Sequence, residues 1–423
     1  MNNQEVTIFW FRRDLRLDDN CALYHALNSK NNVLPIFIFD KEIISELPKN
    51  DARVTFIYQS LKKIDLELKK IGTSLKVLYG KPLEIWNYLF EIYTIKEVYF
   101  NKDYEPYTIR RDENVKKLCR EKGIDVFSFK DQVIFEEHEI LKADDKPYTV
   151  YTPYKNKWLE KYNLVEKQEF SSEEKQSNFI KATFNFPTLA SIGFNTSSQK
   201  IVSFNSIHIQ TYQKTRDIPL YKTSNASVHL RFGTISIRKL VAYAIKTNSV
   251  YLSELIWREF FMQILFHFPN VVNANFKSKY NYIPWRNDKE DFKSWCNGTT
   301  GYEIVDAGMR QLNATGYMHN RVRMIVASFL CKHLLIDWRW GEAYFAEKLL
   351  DYELSSNNGN WQWVAGTGCD AAPYFRVFNP IIQQQKFDPQ LKYVKKWNPN
   401  YKNNQPMIDH KFARERYLKA MSI

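Results

Sequence analysis

No two cysteines in this sequence form a C-x-x-C pair, and the five present (21, 119, 296, 331 and 369) are odd in number and widely scattered. Neither a structural zinc site nor a disulfide framework is expected, and no metal is assigned to the chain. Glycine (13) and proline (15) are scarce, which excludes collagen-like and linker-rich architectures. No uninterrupted apolar stretch reaches the roughly 18 residues of a membrane span. The apolar run VTIFWF near the start is closed by charge and is too short for a signal-peptide core. The expectation is a soluble, cytoplasmic protein with no membrane partner. Two nucleotide signatures are also missing. The turn after VTIFWF reads FRRDLRLDDN, with no G-x-G-x-x-G, and G-x-x-x-x-G-K-[ST] occurs nowhere. An ordinary NAD enzyme or P-loop NTPase is thereby disfavoured.

Acidic residues are in deficit. Lys plus Arg (60) exceed Asp plus Glu (47), leaving a net charge of +13 that favours polyanionic partners such as nucleic acid or an anionic membrane surface. Aromatics are abundant at 16%. The length of 423 residues exceeds what one hydrophobic core organises, about 250–300 residues, so two domains are the first expectation.

Residues 1–130 alternate strand and helix patterns. VTIFWF (6–11), VLPIFIF (33–39), KVLYG (76–80), EVYF (97–100) and DVFSF (125–129) read as short buried strands at βαβ spacing. Residues 54–72 read as a helix closed by Gly72, and 83–93 as a helix entered through Pro82. The fold class is α/β plus all-α, with a doubly wound parallel sheet first. Residues 131–205, rich in Ser, Gln, Asn and Lys, read as an inter-domain connector with one short helix near Trp158. From 206 to 423 the pattern is helical, with expected helices at 236–245, 251–267, 305–316, 320–335 and 341–350. Eight of the 11 tryptophans fall in this part. Such a domain suits a flavin or base-stacking pocket, though from composition alone a dense aromatic core is the plainer account.

Glu254, Trp257, Arg258 and Phe261 share one helix face, an arrangement fit to stack an aromatic ligand and bond its edge. The same spacing serves a plain amphipathic helix with an ion pair at its rim. MHNRVRM (318–324) offers Asn320, Arg321, Arg323 and Met324, a set fit for base edges and phosphates or for a solvated helix start. DYELSSNNGNWQW (351–363) packs two acids, three asparagines and two tryptophans into one short stretch.

These blocks carry a resemblance. WFRRDLRLDDN (10–20), YTPYKNKW (151–158), ELIWREF (254–260), GYEIVDAGMRQLNATGYMHNRVRM (301–324), LLIDWRWGEAYF (334–345) and NNGNWQWVAGTGCDAAPYFRVFNP (357–380) resemble the photolyase/cryptochrome family end to end. Within it they are most similar to the class I cyclobutane pyrimidine dimer (CPD) photolyases of bacteria. No long tail follows the last block, whereas signalling cryptochromes commonly carry one.

The resemblance implies an antenna-type sheet domain (1–130), a helical domain (206–423) that binds FAD and DNA, and light-driven repair of UV-damaged DNA, single- or double-stranded, by a monomer. Reduced FAD would give an electron to a flipped-out dimer, which then splits into two pyrimidines. By the same resemblance Thr223, Ser224, Asn225, Ala226 and Ser227 hold the FAD phosphates, with Tyr212 and Tyr251 nearby. Arg258, Arg323, Asp351, Glu353 and Asn357 surround the flavin, and Asn357 faces the nitrogen that gains or loses a proton, an amide able to serve either state by rotating. Glu254, Trp257, Asn320, Met324 and Trp363 form the lesion pocket, while Arg216 and Arg321 sit at its phosphate rim. Trp361, Trp338 and Trp285 match an electron relay. Met324 stands where the (6-4) branch of the family is expected to carry a histidine, which argues for the cyclobutane dimer as the lesion.

Some positions depart from the family pattern. Glu353 replaces the usual Asp, and Tyr251 stands where Trp is common. The segment YEPYTIRRD (104–112) lacks the Asn-Glu pair that holds folate, so a second antenna chromophore (folate, deazaflavin or flavin) stays open. The alternative function is a blue-light photoreceptor cryptochrome without repair, which Asn357 and the missing tail disfavour.

Overall fold

A computed structural model of the chain describes residues 5–401 and 405–422. The chain forms two compact units. The first holds the residues up to Glu139 together with Glu160–Val202 and Ala226–Tyr243; the second holds Ile140–Leu159, Ser203–Asn225 and the residues from Ala244 onward. The segment expected as a connector is therefore divided between the two units. Its helix, Tyr151–Leu164, is a full 14 residues. It is anchored in the second unit by Trp158, whose ring N–H donates to Glu259 Oε1 at 2.7 Å.

The first unit is built on a five-stranded sheet of β1 (Glu5–Phe11), β2 (Val33–Asp40), β3 (Lys76–Gly80), β4 (Thr94–Asn101) and β5 (Asp125–Phe129), in the order β3-β2-β1-β4-β5. Every pair is parallel, with Ile8 of β1 opposite Leu34 on one side and Val98 on the other. Only a sheet covered on both faces buries whole strands, and β2 is buried at all eight positions. The edge strands β3 and β5 are partly exposed, as their shorter apolar runs suggest. Ala52–Lys70 follows Asp51, whose carboxylate accepts from Arg53 N–H, and ends just before Gly72 at φ +80°.

The arginine-rich turn after β1 is neutralised within this unit. Arg12 pairs with Asp112, Arg13 lies 3.1 Å from Asp103 and 3.0 Å from Glu105, and Arg16 lies 2.7 Å from Asp131. Ion pairs thus occupy the place where a dinucleotide fold would put its glycine loop.

The second unit is helical. Its elements include Ser249–His267, Glu303–Thr315, Asn320–Ser328, Trp338–Lys348 and Leu354–Ala365. Where one helix was expected over 320–335, the α-helix stops at Ser328 and Phe329–His333 forms a π-turn. The Leu334 N–H reaches back five residues to the Phe329 carbonyl, and Leu335, at φ +53°, ends the run. Trp295, Trp338 and Trp361 lie in one buried cluster with Phe329, Leu330 and Phe345. No helix among the described residues is long and apolar enough to cross a membrane.

Candidate active site

The helix Ser249–His267 starts at Asn248, whose side chain accepts from Tyr251 N–H at 3.0 Å. This fixes the rotation of the helix and so the direction of Glu254, Trp257 and Arg258. Glu254 pairs with Arg216 at 2.8 Å, and the Arg216 guanidinium also lies 5.6 Å from the centre of the Tyr212 ring. Burial pushes the Glu254 carboxyl above its ordinary range, while Arg216 pulls it down. Arg258 reaches Glu353 at 2.8 Å. Glu254 and Arg258 are thus each bonded to another element, beyond what a plain amphipathic rim requires.

Thr223 and Ser224 are fixed by tyrosines. Thr223 Oγ1 is 3.1 Å from Tyr317 OH, and Ser224 Oγ is 2.9 Å from Tyr251 OH. Tyr212 packs edge-on against Tyr251 at 5.1 Å. Asn225 takes a left-handed conformation at φ +55°, which an asparagine tolerates well. Ala226 and Ser227 begin the short helix Ala226–Arg231, which belongs to the first unit; Ala226 is buried and Ser227 exposed.

Arg323 donates to Asp351 Oδ2 at 2.9 Å and to the Met318 carbonyl at 2.7 Å, with Tyr317 against its guanidinium. Asp351 Oδ1 is buried and has no partner among the described residues, and the same holds for Ser355 Oγ. Buried polar atoms are rarely left unpaired, so both fit a site completed by a polar ligand. Glu353, one methylene longer than the family's Asp, is engaged by Arg258 and by Ser356 Oγ at 3.0 Å. The Asn357 amide donates to Glu342, so it does not rotate freely as expected. Hydroxyls, guanidinium groups and an unfilled carboxylate oxygen together suit the phosphates and heteroaromatic edges of FAD.

Among the residues expected to line the lesion pocket, Asn320 is exposed at the first position of its helix. His319 precedes it as the N-cap, its ring accepting from Arg321 N–H at 3.2 Å. It is buried, and burial pushes its pKa down to about 4. Arg321 pairs with Asp217 at 2.6 Å, lies 3.5 Å from Met324 Sδ and stacks its guanidinium over Phe387. Met324 and Trp363 are half-buried.

Of the expected relay, Trp361 and Trp338 are buried and Trp285 is half-buried, packed against the edge of their cluster. The Trp361 ring lies directly over Gly341, where an added Cβ would sit 2.1 Å from Cη2. Trp338 is pinned by its ring N–H to Asn275 Oδ1 at 2.8 Å.

Sequence reasoning missed Tyr151, Asp217, Tyr317, Glu342 and Asp370. Tyr151, Tyr317, Glu342 and Asp370 lie inside the quoted motif blocks, yet no spacing rule marks what they touch.

Known proteins resemble this chain along nearly its whole length. The profile for "DNA photolyase" matches residues 7–174, and that for "FAD binding domain of DNA photolyase" matches 251–413. A deoxyribodipyrimidine photo-lyase of Agrobacterium fabrum is 37% identical over 96% of this chain and 89% of its own length. A bacterial class III photolyase from Agrobacterium tumefaciens superposes with TM-score 0.86 at 33% identity, covering 99% of this chain and 98% of its own. An archaeal photolyase from Sulfolobus tokodaii, solved with two FAD molecules, gives TM-score 0.86 at 34% identity over 98% of this chain and 99% of its own.

Proposed function

This chain belongs to the DNA photolyase family, and we propose that it performs light-driven DNA repair with the residues described above. The enzyme is a carbon–carbon lyase acting on cyclobutane pyrimidine dimers. FAD held by these residues would supply the chemistry, a light-driven one-electron transfer to the dimer with the electron returned after the ring opens.

The chain's own residues bind and position. Thr223, Ser224 and Asn225, with Ala226 and Ser227 following, hold the phosphates, backed by Tyr212 and Tyr251. Arg258, Arg323, Asp351 and Glu353 would set the polar edge of the flavin site, and Asn357 would face one flavin nitrogen. Trp257 and Trp363 flank the flipped dimer, and Asn320 and Met324 line its pocket. Glu254 in its protonated form donates to a base carbonyl, and its raised pKa favours that form. Arg216 and Arg321 meet phosphates once DNA competes with their carboxylate partners. Trp285, Trp338 and Trp361 would serve as the route by which electrons reach bound FAD.

The observation that carries the reading is the Arg323–Asp351 pair, whose buried carboxylate keeps one oxygen unfilled among the described residues. We further propose that the protein acts as a cytoplasmic monomer on damaged DNA in either strand state, that FAD and DNA bind within 206–423, and that the sheet region 1–130 holds a second chromophore. The two FAD molecules of the archaeal neighbour make a second flavin the first to test.

The deciding experiment offers purified, reduced enzyme defined cyclobutane dimers and (6-4) photoproducts separately under blue light. Dimers should disappear only in light, with the (6-4) lesion untouched; neutral His319, buried as a helix cap, is unsuited to shuttle protons to it. Restoration of the (6-4) lesion alone would overturn the lesion assignment. Loss of neither lesion would favour a photoreceptor role.

A further inference from the structure

Asn357 gives both hydrogens of its side-chain amide to a single residue. Nδ2 lies 3.0 Å from the backbone carbonyl oxygen of Glu342 and 2.8 Å from its Oε1. Asn357 Oδ1 has no hydrogen-bond partner among the described residues. An asparagine amide donates from one end and accepts at the other. Flipping this one would set Oδ1 against two acceptor oxygens at the same distances, losing two hydrogen bonds and adding repulsion. The backbone carbonyl cannot change its polarity, so the preference holds whichever way the carboxyl is protonated.

Glu342 has no competing task. It is half-buried on the helix Trp338–Lys348, it makes no ion pair among the described residues, and its only side-chain hydrogen bond there is to Asn357. Burial raises its pKa while the amide lowers it, as expected of a carboxyl held for one neutral partner. A half-buried carboxyl without a cation is costly to keep, and the amide is what it holds.

We propose that Glu342 is a positioning residue that locks the Asn357 amide with its oxygen toward the cofactor, so that this position accepts a hydrogen and does not donate one. This rests on the reading above that Asn357 faces a nitrogen of bound FAD. The lock biases the site toward the cofactor form that carries hydrogen on that nitrogen, which is the reduced form.

The test uses the FAD-loaded protein and reads the ratio of reduced to oxidised FAD at a fixed applied potential. Infrared difference spectra of the Asn357 carbonyl provide a second readout. Glu342→Leu should lower the ratio about tenfold, the worth of about one hydrogen bond. Glu342→Gln, which still offers a neutral acceptor about half as strong, should lower it only about threefold. Asn357→Leu is the reference. If it shifts the ratio while Glu342→Leu leaves it within about twofold of the parent, the lock is refuted and the Asn357 reading stands. If Asn357→Leu shifts nothing, the reading beneath the proposal fails and the proposal with it. Should Glu342→Leu not load FAD, Glu342→Gln decides alone: a shift in the stated direction supports the lock, and none overturns it.

Discussion

The indole of Trp257 lies flat against the phenol ring of Tyr151, with ring centroids 3.6 Å apart and planes within 7° of parallel. Tyr151 is itself held at both ends. Its hydroxyl donates to the Ser253 carbonyl at 2.7 Å, and its backbone N–H donates to Asp370 Oδ2 at 3.0 Å. A ring fixed in this way sets the tilt of the tryptophan assigned to the flipped dimer before any DNA arrives, and preorganised contacts lose less entropy on binding.

Tyr151→Ala should therefore weaken binding of dimer-containing DNA about three- to tenfold, the range of an aromatic pair worth 0.5–1.5 kcal/mol. FAD content should not change. Fluorescence anisotropy with a lesion-bearing duplex measures the first and the flavin absorbance ratio the second. Unchanged affinity would show that Trp257 needs no backing.

Glu254 links pH to yield. Burial raises its pKa above the ordinary 4.5, so the protonated form that can donate persists to higher pH and is lost as pH rises through the raised value. The quantum yield of splitting should fall over that window in the parent enzyme. Glu254→Gln, which donates at every pH, should flatten the profile, and Glu254→Ala should lower it throughout while still binding DNA. A pH profile identical in parent and Gln variant would remove Glu254 from the reaction.

Arg321 lies 2.6 Å from Asp217, so DNA phosphate must displace a carboxylate to reach it. Arg321→Ala should flatten the plot of log affinity against log salt by about one unit, while Asp217→Asn should tighten DNA binding at low salt. Weaker binding by the Asp217 variant would mean that the carboxylate orients Arg321 for DNA and does not compete with it.

Trp361→Phe should abolish light-driven reduction of oxidised FAD and leave repair by chemically reduced enzyme within about twofold of the parent, because the proposed relay would feed FAD without touching the lesion. Transient absorption and a dithionite-reduced repair assay separate the two. Intact photoreduction would place the electron entry elsewhere in the cluster.

Lys332 is 1% exposed and donates to the Arg376 carbonyl at 2.9 Å. Burial lowers its pKa from 10.5 to about 8. The folded protein therefore holds this proton less tightly than the unfolded chain, so the penalty is full below pH 8 and fades as pH rises from there toward 10.5. Removing the charge recovers about 3 kcal/mol before the lost hydrogen bond is counted. Lys332→Met should raise Tm near pH 7, with a gain that shrinks steadily up to pH 10.5. A gain independent of pH would assign the effect to packing.

The sheet was legible because burial on both faces writes itself as unbroken apolar runs; VLPIFIF needs no partner to be read as a central strand. The helix start at Trp338 was less so, since Asp337 caps a stretch whose apolar spacing begins only later. The π-turn at Phe329–His333 was invisible, because one extra residue per turn leaves composition unchanged. At the candidate site, motif resemblance singled out Asn357, Arg323 and Asp351. It could not locate Glu342 or Tyr151, whose meaning lies in contacts across 15 and 106 residues of chain. The partners of Arg216 and Arg321 were hidden likewise: charge composition counts arginines without saying which carboxylates already hold them.

Gly341 carries one more consequence. It lies within the helix Trp338–Lys348, where glycine costs about 1 kcal/mol of helix stability relative to alanine. The methyl group that would recover this overlaps the Trp361 ring at 2.1 Å. Overpacking a buried site costs about 1–3 kcal/mol, more than the helix would regain. Helix strength is given up at one atom so that an indole can lie against bare backbone, and selection for heat resistance would keep glycine here despite its poor helix propensity.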